Sequence, residues 1–134
     1  MLDKKDLLLY AVTDRKCIGG RDFYETIENA LKGGVTILQL REKELSESQL
    51  VEEAVKVKDI CRRYNVPLII NDNYSAALKA GADGVHVGIE DAPVAEIRRI
   101  CGKNFIIGAT AKTVAQARQA EVDGADYLGV GAVF

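Results

Sequence analysis

The chain alternates between two kinds of segment, and this alternation limits its fold more than any other feature. Short apolar runs of strand character lie at 7–12, 35–40, 67–70, 85–87, 105–107 and 127–130, and stretches of helical periodicity separate them. A helix is predicted from Asp22, where Glu25 three residues on gives a cap-like spacing. Its apolar face is Phe23, Ile27, Ala30 and Leu31, and Gly33 is expected to take the left-handed C-terminal position. Ser46 and Gln49 form a capping box for the longest helix, with a buried stripe of Leu50, Ala54, Val57 and Cys61. Further helices are predicted over about 74–80, after Pro93, and from the Thr113/Gln116 capping pair to near Asp123. KAGADGVHVG and EVDGADYLGVG both set Gly-Ala-Asp between a helix end and a strand, and KGGVTILQL is a looser third copy. Such β-α units with short connections imply parallel strands, because each crossover returns the chain to the same end of the sheet. An open doubly wound sheet and a (β/α) barrel both satisfy the pattern. Residues 1–134 form a single domain with no linker.

Composition removes several classes of function. At 48% hydrophobic and 28% charged the chain can bury a core, and a net charge of −2 offers no basic face for nucleic acid or anionic membrane. No apolar stretch approaches the roughly 18 residues of a membrane span, and the N-terminus lacks the cleavage site of a secretory signal. Cys17, Cys61 and Cys101 have no C-x-x-C spacing, so a reduced, cytoplasmic setting is expected without a disulfide framework or zinc site.

Strands covered by helices on one face and a core on the other are apolar on both, so polar residues in them need a reason. Here they collect at the C-terminal ends: Gln39-Leu40-Arg41-Glu42-Lys43, then Asn71-Asp72, then His86 leading to Gly88 and Asp91, then Thr110. Parallel strands deliver these ends to one side, where ligands bind in both candidate folds. Gln39, Arg41 and Lys43 share one parity. Arg and Lys suit phosphate oxygens, and Asp72 and Asp91 suit Mg2+, which takes few carboxylates together with waters and phosphates. The set points to a Mg2+-bound pyrophosphate substrate. It also reads as a solvated charge cluster at 41–44, helix caps at Asp72 and Asp91, and a turn at Asn71. His86 reads as a satisfied strand residue rather than a base, and Tyr10 as core packing.

The succession LYAVTD, ILQLREK, IINDN, GVHVGIED, IIGATAKT and GADYLGVGAVF resembles the thiamine-phosphate synthase family over 8–134. The resemblance implies a parallel (β/α)8, TIM-barrel-type α/β fold. It implies an enzyme, a transferase that joins hydroxymethylpyrimidine diphosphate to thiazole phosphate, releases pyrophosphate and gives thiamine phosphate. It assigns Gln39, Leu40, Arg41, Glu42, Lys43, Asn71 and Thr110 to substrate binding, Arg41 and Lys43 to catalysis, and Asp72 and Asp91 to Mg2+. Thr110 stands where the family pattern usually has Ser, and both carry a hydroxyl.

Family members continue past the sixth strand with a Pro-Thr-x-Thr-Lys type loop and two further β-α units. The chain is therefore expected to be an incomplete, truncated barrel of about six strands and five helices, short of a typical barrel's roughly 250 residues. Its edge strands are expected to be covered by partner copies in a homo-oligomer. Two other readings stand beside the synthase: a thiazole tautomerase-like barrel, and a non-catalytic, self-associating barrel fragment.

Overall fold

Six strands pair in chain order into one parallel sheet: β1 (Tyr10–Val12), β2 (Ile37–Leu40), β3 (Leu68–Asn71), β4 (Gly84–Val87), β5 (Ile106–Thr110) and β6 (Tyr127–Gly129). The computed structural model describes residues 2–133, so Phe134, the last residue of the GADYLGVGAVF match, lies outside them. Five helices alternate with the strands: α1 (Phe23–Lys32), α2 (Glu47–Arg63), α3 (Tyr74–Ala80), α4 (Val94–Cys101) and α5 (Val114–Asp123). Strand order never reverses, so there is no switch point of the doubly wound kind; this is six strands of a (β/α) barrel. The register runs Tyr10 opposite Ile37, Leu38 opposite Leu68, Ile69 opposite Gly84, Val85 opposite Ile107 and Ala109 opposite Leu128.

Strand parity sorts the side chains into two cores. Leu38, Leu40, Leu68, Ile70, Val85 and Ile107 face the helices and pack with Phe23, Ile27 and Leu31 of α1 and with Leu50, Ala54, Val57 and Cys61 of α2. Ile37, Ile69 and Ile106 face the concave side and form a small plug with Leu2, Tyr10 and Tyr127. All three cysteines are free, and burial pushes the Cys61 thiol up to about 12, so it behaves as a small hydrophobe. Among the described residues no helix is long and apolar enough to cross a membrane.

Three local expectations need correction. The first strand begins at Tyr10, because Lys4–Leu7 is a 3-10 turn held by a reciprocal Asp3/Asp6 cap. The left-handed glycine after α1 is Gly34 (φ +110), whereas Gly33 stays right-handed and donates to Asn29 and Ala30 carbonyls. Strand five runs from Ile106 to Thr110, past the 105–107 read from the sequence, so Thr110 is the strand's last residue. The capping boxes differ too. Ser46 and Gln49 are reciprocal as expected, but Gln116 accepts from Lys112 N–H rather than from Thr113.

The repeated Gly-Ala-Asp has a physical purpose at the N-terminal rim. Asp83, just before β4, accepts from the first N–H of the neighbouring strand β3 (Leu68, 2.8 Å) and from Lys58 on α2 (2.5 Å). Asp126, just before β6, accepts from Ile107 N–H of β5 (2.8 Å) and from Arg98 on α4 (2.7 Å). Each Asp also donates its own N–H across, to Leu68 O and Ile107 O. The third copy uses a hydroxyl: Thr36 Oγ1 accepts from Leu9 N–H at 2.8 Å, and Thr36 N–H donates to Leu9 O. One polar side chain thus ties a strand, its neighbour and, in the two close copies, the helix between strands.

Replacing Asp126 by Ala leaves a β5 N–H without its partner and removes one Arg98 contact, although the guanidinium keeps its bonds to the Gly102, Phe105 and Gly124 carbonyls. We expect a loss of about 1–3 kcal/mol, read in urea melts as a lower midpoint with an unchanged slope.

Candidate active site

At the opposite, C-terminal rim the inward-facing residues are polar. Gln39 is buried and its Nε2 donates to Tyr10 Oη at 2.8 Å. The Tyr10 and Tyr127 hydroxyls meet at 2.5 Å, Tyr127 Oη lies 3.1 Å from His86 Nδ1, and His86 Nε2 lies 3.0 Å from Thr110 Oγ1. A continuous hydrogen-bonded chain therefore crosses the concave face from β2 through β1, β6 and β4 to β5. It lines one side of a cavity of about 420 Å3, with Leu7, Val12, Leu128 and Gly129 around it. Gly108 lets the chain pass: a Cβ there would lie 2.1 Å from Tyr127 Cζ and 2.6 Å from His86 Nδ1.

Burial holds His86 below its ordinary pKa, against the attraction of Asp72. Burial likewise raises the Tyr10 and Tyr127 phenols, which stay protonated. His86 is thus satisfied within its strand, as its sequence setting predicts. Tyr10 is more than core packing, because its hydroxyl is a relay point between Gln39 and Tyr127.

Beside this interior lies a second cluster. Lys43 Nζ contacts Asp72 Oδ2 at 2.7 Å, and the Asp72 carboxyl lies beside that of Asp91. Asp91 Oδ2 in turn accepts from Gly88 N–H at 2.7 Å. Burial pushes the Asp91 carboxyl up, and its neighbour Asp72 pushes the same way against the Gly88 N–H. Burial also acts on Asp72, but the Lys43 ammonium outweighs it and holds that carboxyl below its ordinary value. Two carboxylates in contact share a proton unless a cation replaces it. No third His, Cys, Asp or Glu joins them in a metal-holding group among the described residues. A pair of hard oxygen donors open to further ligands fits Mg2+, which keeps waters and phosphate oxygens in its shell.

Local backbone sets Asp72 in place. Its φ of +66 is left-handed, and Asn73 N–H donates to Asn71 O at 2.8 Å around it, a three-residue turn of the strained hand. Asp72 N–H also donates to His86 O at 2.8 Å, tying the turn to β4. Asn73 caps α3, and its Nδ2 donates to Glu47 on α2 at 3.1 Å.

The assigned residues divide by side-chain direction. Lys43, Asp72 and Asp91 come together, with Asn71 next to Asp72 at the end of β3. Gln39 and Thr110 belong to the interior chain. Arg41 lies along a cleft of about 380 Å3 with Asp14, Lys16 and Lys43. Leu40 packs in the helix-side core and offers the rim only its main chain. Glu42 borders the same cleft, but its side chain is buried against Arg15. Tyr127 and Arg15 were not singled out by the sequence. Parity puts Tyr127 on one sheet face without saying which, and Arg15 has no local signal.

Residues 9–134 match the family model described as thiamine monophosphate synthase. The thiamine-phosphate synthases of Caldanaerobacter subterraneus subsp. tengcongensis and Clostridium acetobutylicum are 53% and 51% identical to the chain over 96% of its length. The chain spans 60% and 61% of their lengths. A solved structure, thiamine phosphate pyrophosphorylase from Pyrococcus furiosus, superimposes with a TM-score of 0.88 at 36% identity, over 96% of this chain and 62% of that one.

A neutral buried His86 makes stability depend on pH. Its folded pKa lies below the unfolded value of about 6.5, so the unfolded state binds more protons in that window. Its contribution is complete above about pH 6.5 and is lost as pH falls through the folded pKa. Urea midpoints of the wild type and of His86→Gln, compared from pH 8 to 5, are expected to diverge above that window and converge below it.

Proposed function

The chain belongs to the thiamine monophosphate synthase family, and on that premise we propose that it binds hydroxymethylpyrimidine diphosphate at this rim for transfer to thiazole phosphate, giving thiamine phosphate and pyrophosphate. The observation that carries the reading is the contact series Lys43–Asp72–Asp91 beside Arg41, at the strand ends where barrels hold their ligands. Asp72 and Asp91 would hold Mg2+, which when bound neutralises charge on the diphosphate oxygens.

Arg41 and Lys43 provide the protein's own positive charge for the same group. The bond from the pyrimidine methylene to the diphosphate oxygen breaks with its electron pair leaving on pyrophosphate, and the thiazole nitrogen attacks the methylene carbon. This chemistry needs charge stabilisation and positioning rather than a strong base. The setting of His86 agrees with that, since both ring nitrogens already have partners. The same observation weighs against a tautomerase-like reading, which would use a histidine. Gln39, which lines the interior cavity, and Asn71 and Thr110 at the strand ends would orient the pyrimidine. Free thiols at all three cysteines go with a reducing, cytoplasmic setting.

The outer edges of β1 and β6 are unpaired among the described strands, and Val12 and Val130 are exposed there. In the 134-residue chain these edges would be covered by a second copy. Sedimentation should then give a mass that rises with concentration, whereas a constant monomer mass would remove that part of the reading.

Calorimetric titration with inorganic pyrophosphate tests the site. We expect binding that requires Mg2+, loss of that Mg2+-dependent binding in Asp91→Asn, and roughly tenfold weaker binding in Arg41→Met. Equal affinity with and without Mg2+ in the wild type would overturn the proposal.

A further inference from the structure

One cation beside the rim holds more than its surroundings explain. Arg15, in the turn after β1, donates from Nε to Glu42 Oε1 at 2.8 Å and forms an ion pair through Nη2 with Glu53 Oε1, and its guanidinium lies 3.9 Å from the centroid of the Phe23 ring. The Glu42 and Glu53 side chains are each only 7% exposed. Glu53 is an acid on the apolar stripe of α2, one residue before Ala54, and its Oε2 is buried without a hydrogen-bond partner. One guanidinium thus stands between two buried carboxylates.

Glu42 lies between Arg41 and Lys43 in sequence, and both of these are exposed along the cleft that Arg15 also borders. Drawing Glu42 inward leaves its neighbours facing out. The start of the loop has a separate anchor, since Arg41 N–H donates to Thr13 Oγ1 at 3.0 Å. No comparable main-chain tie is present from Glu42 to Leu45, so side chains hold that stretch: Glu42 on Arg15 and Lys43 on Asp72.

We propose that Arg15 is the positioning residue of the cation rim: it sequesters the Glu42 carboxylate and so presents Arg41 and Lys43 to an anionic ligand. Without Arg15, two buried carboxylates repel each other. Glu53 is fixed on a helix and Glu42 is on a loop, so Glu42 is the one that leaves. Once released it lies beside Arg41 and Lys43 and competes with the ligand for them. The inference rests on the proposed diphosphate site only for the identity of that ligand.

The test uses Arg15→Met, Arg15→Lys and the double variant Arg15→Met/Glu42→Gln, with two readouts. In 15N relaxation, Arg15→Met should lower the backbone order parameters of residues 42–45 while those of β3 and β4 keep their wild-type values. In calorimetry with Mg2+ and inorganic pyrophosphate, Arg15→Met should bind roughly tenfold more weakly, and the double variant should recover most of that loss. A residue that only stabilised the fold would leave the order parameters at 42–45 unchanged and would not be relieved by Glu42→Gln. Unchanged order parameters at 42–45, or no recovery in the double variant, overturns the proposal. If Arg15→Met does not fold, Arg15→Lys, which keeps the charge but not the two-pronged contact, carries the same comparison at smaller amplitude. If the wild type fails to bind pyrophosphate, the proposed function falls, and the order parameters at 42–45 still decide the role of Arg15.

Discussion

Everything at this site depends on how little room a curled parallel sheet leaves on its concave side. Strands about 5 Å apart each turn every second side chain inward, so large residues cannot stand abreast in every layer. The structure meets this by alternation. Asn71, His86, Gly108 and Tyr127 are register partners, and the glycine between the two rings is what allows them to hydrogen-bond. One layer down, Gly84 lies between Ile69 and Ile106, where a Cβ would lie 2.1 Å from Ile106 O. Polar side chains are tolerated in so crowded a space because each has a partner, and that satisfaction holds the interior to one arrangement.

The two rims divide the work. At the N-terminal rim Asp83 and Asp126 each spend one carboxylate oxygen on a strand N–H and a helix cation, and Thr36 spends its hydroxyl on main chain. At the C-terminal rim the acids face each other, and Asp72 occupies a backbone conformation few residues tolerate. The same residue type thus serves rigidity at one end and chemistry at the other. The difference lies in whether its oxygens meet N–H groups or another carboxylate.

Much of this was legible in the sequence where the signal is local. The Ser46/Gln49 box, the α2 stripe and the short α3 were read correctly because caps and periodicity are written within a few residues of the structure they specify. The convergence of Lys43, Asp72 and Asp91 followed from topology alone. What escaped depends on distant partners. Leu7–Leu9 looked like strand, but a reciprocal Asp cap and the Thr36 tie set the backbone there. Glu42 read as part of the substrate motif, and its inward turn follows from Arg15, 27 residues away. Glu53 was the available clue: an acid on an apolar helical face requires a cation from somewhere.

The contact between the Tyr10 and Tyr127 hydroxyls spans 117 residues of chain. Closing so long a loop is entropically expensive and slow. Strands β1 to β3 can pair soon after synthesis and Gln39 can reach Tyr10, but the Tyr10 hydroxyl lacks its Tyr127 partner until β6 emerges. The interior therefore matures late on the ribosome, and a nascent chain halted before Tyr127 carries a formed sheet with an unfinished polar seam.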